Sequence, residues 1–294
     1  MGLLAAACLG RAPAGVAPLD FALPDRVEAF EAPDWRPLEG AELLRRLAAA
    51  DIVLLGELHD NAAHHRARGA LLGALGARRP AVVFEQFAAS AAPLPQPAAG
   101  ESREAWLDAR GFDRTSWKWP IHQPVVEAAL RHGRALWGSG LSREALRGVV
   151  REGAAGAAED LRGLIERVPL DRAARAALDQ DLVDGHCGRL PVEMIPGMRA
   201  AQVVRDASMA RALLAASADG PAWLVAGNGH VRADLAVPRL LRGLAPGKAV
   251  LSVGLLERQA VGAMPPAVPR GRYDLILVTE PASRPDPCAS FRPA

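Results

Sequence analysis

Short apolar runs alternate with amphipathic stretches along most of the 294-residue chain. Each apolar run is bounded by polar residues or glycine, which is typical of buried strands in a parallel sheet. The predicted strands are 51–55, 81–85, 135–138, 222–226, 249–256 and 273–279. The predicted helices are 39–50, 61–79, 101–110, 123–133, 142–151, 157–186, 193–217 and 234–243. This alternation predicts an α/β fold with three layers, α/β/α, around a mainly parallel central sheet.

The elements divide the chain into three parts. Residues 9–36 are rich in proline and alanine and show little periodicity, so we predict a tether there. Residues 37–294 are predicted to form one domain. Within it, the helical stretch 142–217 is too long for a simple crossover between strands. We therefore expect part of that stretch to form a helical cap over the sheet edge.

Residues 1–8 resemble the end of a bacterial lipoprotein signal, because small residues stand immediately before Cys8. The segment lacks a basic region, its apolar stretch is shorter than the usual ~7–15 residues, and Ala5 replaces the leucine favoured three positions before the cysteine. A start codon assigned too far downstream would explain these departures. We expect a truncated signal with a lipidated Cys8, and the alternative is an unprocessed terminus.

Charge and hydropathy exclude some classes of function. The net charge is +2 and the arginines are spread through every segment, so we expect no nucleic-acid partner. The mean hydropathy of +0.06 is too low for a membrane-spanning protein. Apart from Cys8, the cysteines are Cys187 and Cys288. They could form a disulfide in an oxidising compartment, or they could be two unrelated thiols.

A Gly-x-x-His phrase follows two of the predicted strands. The first ends at His59 and includes Glu57, and the second ends at His230. Residues just past a parallel strand lie at its carboxyl end, the edge where open α/β sheets bind ligands. Glu85 closes the predicted strand 81–85 at the same edge. We therefore expect these four side chains to share one crevice.

Two histidines and two carboxylates at a sheet edge suit a transition metal or general acid–base chemistry. The predicted metal ligands are Glu57, His59, Glu85 and His230. The alternative is structural: the histidines cap helices and bind loop amides. His64 and His65 follow on a helix, where adjacent residues point about 100° apart, so at most one should face the crevice.

Further polar residues lie on the helical elements. Gln202, Arg205, Asp206 and Met209 share one helix face, which we expect to brace the site, with Asp206 orienting a histidine through its ring N–H. A solvated face is the alternative. His186 ends a predicted helix and could reach the crevice or complement the helix dipole. The aromatic segment 117–122, which ends in His122, could stack on a planar ligand or pack in the core.

Taken together, these motifs resemble the ChaN-like haem-binding uptake family, within the wider Tiki/TraB and erythromycin-esterase-like superfamily. The similarity runs from about residue 36 to the end of the chain. The motifs that carry it are Gly56–Asp60, Phe84–Gln86, Asp184–Cys187, Ala200–Ala210, Ala226–Asp234 and Asp286–Cys288.

The resemblance implies haem as the ligand. It also implies a periplasm-facing lipoprotein of the outer membrane that takes part in iron acquisition, with the haem-uptake machinery as a partner and a possible homodimer around the ligand. Haem binding in this family is associated with a tyrosine axial ligand. This chain has a single tyrosine, Tyr273. The candidate haem ligands are therefore His122, His64, His65 and Tyr273.

The wider superfamily implies an alternative, a metal-dependent hydrolase of peptide or ester bonds. In that hypothesis Glu57, His59, Glu85 and His230 bind Mn, Co or Zn, and Glu57 or Glu85 acts as the general base. A purely structural surface domain is a third hypothesis. We favour ligand binding over catalysis, mainly because of the resemblance.

Overall fold

The structure is a computed structural model that describes residues 21–286 and 288–289. Eight strands form one sheet. They are β1 (Glu28–Glu31), β2 (Arg36–Leu38), β3 (Ile52–Leu55), β4 (Ala81–Ala88), β5 (Ala135–Gly140), β6 (Ala222–Val225), β7 (Val250–Glu257) and β8 (Leu275–Thr279). The described helices are α1 (Gly40–Ala49), α2 (Ala62–Ala74), α3 (Arg103–Asp108), α4 (Gln123–His132), α5 (Arg143–Glu152), α6 (Glu159–Arg167), α7 (Arg172–Gly185), α8 (Ile195–Ala216) and α9 (Val237–Leu244).

The strand order across the sheet is β2-β1-β8-β7-β3-β6-β4-β5. The strands from β8 to β5 are parallel to their neighbours, whereas β1 and β2 are antiparallel additions at one edge. Every residue of the central strands β3 and β6 is buried. A continuous apolar run is what a strand needs when helices cover both faces of its sheet.

Alternate residues of β3 pack against opposite helical layers. Val53 and Leu55 belong to the core cluster that includes side chains of α1, α2, α3 and α4. Ile52 and Leu54 belong to the cluster that includes side chains of α5, α6, α8 and α9. Successive strand side chains point to opposite faces of a sheet, so the two clusters lie on its two sides. The predicted three-layer α/β/α fold is confirmed.

The predicted tether differs from the structure. Its last part supplies β1, which pairs with β8 through registers such as Phe30 with Ile276, and the start of β2. These strands extend the sheet edge, so residues 28–36 belong to the domain. The hydrophobic pattern did not predict these two strands, because each is short and prolines interrupt the alternation. Residues 9–20 lie outside the described part of the chain.

The helical region 142–217 also differs from the predicted cap. The carboxyl-terminal half of α8 packs on the sheet as part of a helical layer, because its residues Ala207, Ala210 and Leu213 are fully buried in the core. The predicted helix 157–186 is divided into α6 and α7. Pro169 lies in the break, and the Arg239 guanidinium donates hydrogen bonds to the carbonyls of Val168 and Pro169 at 2.8 and 3.1 Å. Proline excludes the preceding residue from helical geometry, which explains the break.

Cys187 and Cys288 form a disulfide with a Cα–Cα distance of 5.8 Å, so of the two alternatives the structure supports the bond. The disulfide joins the turn after α7 to the carboxyl-terminal segment. The predicted lipoprotein signal, including Cys8, lies outside the described residues. Among the helices that the structure does describe, none has both the length and the hydropathy of a membrane span.

Candidate functional site

Three adjacent strands bring the Gly-x-x-His residues and Glu85 to one crevice. Glu57 and His59 follow β3, His230 follows β6, and Glu85 lies in β4. The strand order places β6 between β3 and β4, so strand 81–85 is not a direct neighbour of strand 51–55. A side chain at Gly227 would come within 2.9 Å of the His59 ring, so this glycine allows β6 and His59 to approach closely.

His230 is held between two carboxylates. Its Nδ1 donates to Asp206 Oδ1 at 2.6 Å, and its Nε2 lies 3.4 Å from Glu85 Oε1. The Gln202 amide lies 3.2 Å from the same Nδ1. The spacing along α8 had led us to expect the Asp206 contact, which fixes the ring orientation and leaves Nε2 facing the crevice.

The charges of His230 and Glu85 follow from the contacts among the members of this cluster, which outweigh the effect of burial on both. Burial by itself would lower the pKa of His230, but Glu85 and Asp206 outweigh it and raise the pKa to about 10. Burial would raise the pKa of Glu85. His230, His59 and the Gly227 N–H, which donates to Glu85 at 2.8 Å, instead hold that pKa below its usual value. The crevice therefore contains an imidazolium and the Glu85 carboxylate at neutral pH, whereas burial raises the pKa of the Asp206 carboxyl above its usual value.

Glu57 is the centre of a second buried cluster. Its Oε1 lies 2.6 Å from His59 Nδ1 and accepts a hydrogen bond from the Gln86 amide at 3.2 Å. Its Oε2 accepts from Arg68 Nη2 and lies 3.2 Å from His65 Nδ1. The side chains of Glu57, Arg68 and His65 are completely buried, whereas that of His59 is 47% exposed. His59 is thus the part of this cluster that solvent can reach.

Arg68 is a site residue that the sequence analysis missed. Its side chain is fully buried in α2, and burial lowers its pKa to about 9 despite the attraction of Glu85. The signal was present in the sequence, because Arg68 lies three and four residues after His65 and His64. It also lies three and four residues before Leu71 and Leu72, on what becomes the buried face of the helix.

His122 lies under the crevice in an aromatic pocket. Its ring centroid is 4.1 Å from that of His65, 5.8 Å from that of Phe112 and 5.9 Å from that of Trp117. Neither ring nitrogen makes a regular hydrogen bond with any described residue. Burial lowers the pKa of both His65 and His122 to about 3, so these rings are neutral.

The best-placed donor set for a metal differs from the predicted one. Within the described residues, ligand atoms of Glu57, His59 and His122 all lie within 4.8 Å of one another. Glu85 and His230, which we predicted as ligands with Glu57 and His59, belong instead to the neighbouring cluster. His122 entered the sequence analysis only as a haem ligand, because nothing in its local pattern revealed its distance from Glu57.

The other predicted haem ligands are buried away from solvent. Both ring nitrogens of His64 are engaged, since Nδ1 accepts from the Leu58 N–H at 2.9 Å and Nε2 lies 3.1 Å from Thr279 Oγ1. His65 donates from Nε2 to the His59 carbonyl at 3.0 Å. Tyr273 is 5% exposed, and burial raises its pKa to about 12. A ligand as large as haem cannot contact these side chains, or His122, without rearrangement of the core.

A groove of about 750 Å³ opens beside the crevice, between α5, the end of α7 and α8. Its apolar lining comprises Leu146, Val150, Leu182, Met198 and Ala201. Its polar lining comprises Arg143, Arg147, Arg151, His186, Gln202 and Arg205. Gln202 contacts His230 as well, so the groove and the crevice share a wall. His186 and Arg205, predicted to support the crevice, thus line the groove, while Met209 is buried in the core.

Comparison with known proteins agrees with this architecture. The family described as haem-binding uptake, Tiki superfamily, ChaN matches residues 43–241. A structure of cofacial haem binding to ChaN of Campylobacter jejuni has a TM-score of 0.67 at 18% identity. The alignment covers 87% of this chain and 97% of that one. The TM-score shows that the two proteins share a fold.

Two more distant structures are also similar. A mutant erythromycin esterase in its open conformation has a TM-score of 0.41 at 15% identity, covering 90% of this chain and 86% of that one. A Bacillus cereus protein has a TM-score of 0.37 at 12% identity, covering 81% and 90% of the two chains. No curated protein sequence matches this one. Because the family match spans more than half of the sequence, the chain belongs to the ChaN family of the Tiki superfamily.

Proposed function

We propose that this protein binds haem. The observation that carries the proposal is the groove between α5, α7 and α8, whose volume of about 750 Å³ lies within the ~300–1,000 Å³ of small-molecule sites. Membership of the ChaN family supports the same ligand. The haem complex of the Campylobacter relative, which shares the fold, is consistent with it.

The groove fits the chemistry of haem better than the crevice does. Leu146, Val150 and Met198 offer apolar contact for a macrocycle. Arg147 and Arg205 carry charge opposite to that of the propionates, and neither guanidinium makes an ion pair or hydrogen bond with a described residue. The crevice instead presents carboxylates and a largely buried set of histidines. Iron in such a site needs at least one protein donor, which haem proteins supply as histidine, cysteine, methionine or tyrosine.

We further propose a cell-envelope location, with the protein acting in haem or iron uptake as a periplasm-facing lipoprotein of the outer membrane. The disulfide between Cys187 and Cys288 supports an oxidising compartment. Partnership with outer-membrane uptake machinery and assembly into a homodimer belong to the same proposal. Size-exclusion chromatography with and without hemin tests the homodimer, and a monomer under both conditions would exclude it.

The test of haem binding is an absorbance titration of the purified apoprotein with hemin. A saturable Soret change at stoichiometric hemin is expected. Ala201→Phe, which fills the groove, should abolish saturation, whereas Ala218→Phe at an exposed position after α8 should not. The absence of any saturable change in the wild-type protein would overturn the proposal.

A second candidate function is metal-dependent hydrolysis of a peptide or ester bond. The specific observation in its favour is the set of close donor atoms on Glu57, His59 and His122. A neutral imidazole and a carboxylate suit Mn, Co or Zn, and Glu85, which interacts electrostatically with His59, is the candidate general base. Elemental analysis of the wild-type, His59→Ala and His122→Ala proteins tests this function. Equal metal content in all three would exclude it.

A further inference from the structure

We propose that His186 is the axial ligand of the haem iron and that Arg147 and Arg205 bind the propionates, an assignment that rests on the haem-binding function proposed above. His186 is the residue after α7, and its side chain lines the groove. Among the groove residues, His186 and Met198 have side chains that haem proteins use as iron ligands. The histidine offers the nitrogen donor that accounts for a haem site without an accessible tyrosine.

The orientation of His186 suits a ligand. Its Nδ1 lies 2.7 Å from the Leu182 carbonyl oxygen. A carbonyl only accepts hydrogen bonds, so Nδ1 is the donor, and in the neutral ring Nε2 then carries the lone pair. No described residue hydrogen-bonds Nε2. An Nδ1–H donated to a backbone carbonyl, with Nε2 left for the metal, is the usual arrangement of a metal-binding histidine.

The backbone around His186 is constrained on both sides. The His186 N–H donates to the Val183 carbonyl at 3.1 Å, which continues the last turn of α7. Cys187, the next residue, has a φ of 57° and is bonded to Cys288. The disulfide thus holds the turn that carries the histidine. Such support for a ligand lowers the conformational entropy that is lost when the ligand binds.

The arginines of the groove differ in how available they are. Arg143 pairs with Asp113 at 3.0 Å, and Arg151 pairs with Glu152 at 2.7 Å. Arg147 and Arg205 line the groove without a paired carboxylate among the described residues. They lie on α5 and α8, two of the three helices that bound the groove. Two unpaired cations across an apolar groove match the two carboxylates of a porphyrin.

The test compares the spectra of hemin complexes of the full-length protein. His186→Ala should weaken hemin binding at least tenfold and remove the iron–imidazole signature from the resonance Raman spectrum of the reduced complex. Added imidazole should restore that signature. His186→Tyr should instead give the charge-transfer band of an iron–phenolate complex, which a merely structural role would not produce. His132→Ala removes a histidine at the end of α4, away from the groove, and should change nothing.

The outcomes distinguish a failure of haem binding itself from a failure of the His186 ligand assignment. If wild-type protein shows no saturable Soret change, haem binding itself fails. If wild-type protein binds hemin and His186→Ala gives an identical spectrum and affinity, only the ligand assignment fails. For the propionates, Arg147→Gln and Arg205→Gln should each weaken binding of hemin by up to about fivefold, the range of an exposed ion pair. They should leave the affinity for hemin dimethyl ester unchanged, and equal losses for both ligands would overturn the propionate assignment.

Discussion

The buried ion pair between Arg68 and Glu57 allows a quantitative test of the site. Both side chains are completely buried, and the guanidinium also contacts His65 Nδ1 at 2.7 Å. Arg68→Met keeps a long apolar side chain but leaves the Glu57 carboxylate without its cation. Removing one partner of a buried pair costs about 3–5 kcal/mol, because the remaining charge is desolvated without compensation.

The free energy of unfolding, measured by urea denaturation with the disulfide intact, reports this loss. We expect Arg68→Met and Glu57→Gln each to lower it by about 3–5 kcal/mol. The double variant should lose less than the sum, because it leaves neither charge unpaired. The matched control is Arg270→Met, since Arg270 and Asp34 form a pair whose side chains are 80% and 75% exposed. That change should cost at most about 1 kcal/mol. A loss below about 1 kcal/mol for Arg68→Met, or strict additivity of the two variants, would refute the reasoning.

Three further predictions follow from other parts of the structure. Burial lowers the pKa of His64, like those of His65 and His122, to about 3 from 6.5, so each contributes stability that is present above pH 6.5 and is lost as the pH falls towards 3. As the pH is lowered through this range, the free energy of unfolding should fall by up to ~1.4 kcal/mol per pH unit for each of these histidines. The same dependence on pH in His64→Gln as in the wild-type protein would contradict this. Reducing the disulfide, which closes a loop with a sequence separation of 101 residues, should lower the free energy of unfolding by up to about 4–5 kcal/mol, whereas the same reductant should leave a Cys187→Ser/Cys288→Ser variant unaffected. Gly56→Ala places a Cβ 2.1 Å from Asn228 Oδ1 and should cost about 1–3 kcal/mol, whereas Gly163→Ala, with no atom within 4 Å of its Cβ, should be neutral or slightly stabilising; equal melting temperatures would argue against the close packing at Gly56.

The hydrophobic pattern over a few consecutive residues was enough to predict the central strands of the fold. The predicted central strands agree with β3, β6 and β7 to within a residue or two. Strand type follows from apolar runs and their flanking glycines, both of which are read over short distances. The edge strands β1 and β2 were not predicted, because most of their residues are exposed or only partly buried and β1 pairs with β8, which is distant in the sequence.

The candidate site likewise contains residues that could be predicted from the sequence and contacts that could not. Glu57, His59, Glu85 and His230 could be located from the sequence because each follows or ends a recognisable strand. The contact of His230 with Asp206 could be anticipated from helical spacing. The pairing of Arg68 with Glu57 could not, since it depends on how α2 packs against the loop after β3. The contact of His122 with Glu57 could not be anticipated either, because His122 Nε2 and Glu57 Oε1 lie 3.5 Å apart on segments distant in the sequence.

Hydrophobic periodicity and strand-terminal motifs are local properties, so the three-layer class, the central strands and the polar character of the sheet edge could be predicted from the sequence alone. The position of β6 between β3 and β4, the packing of α8 on the sheet, and the groove that α5, α7 and α8 enclose beside the crevice became known from the folded structure. These features arise from packing between segments far apart in the chain, where the burial of side chains selects one arrangement among many with the same local pattern.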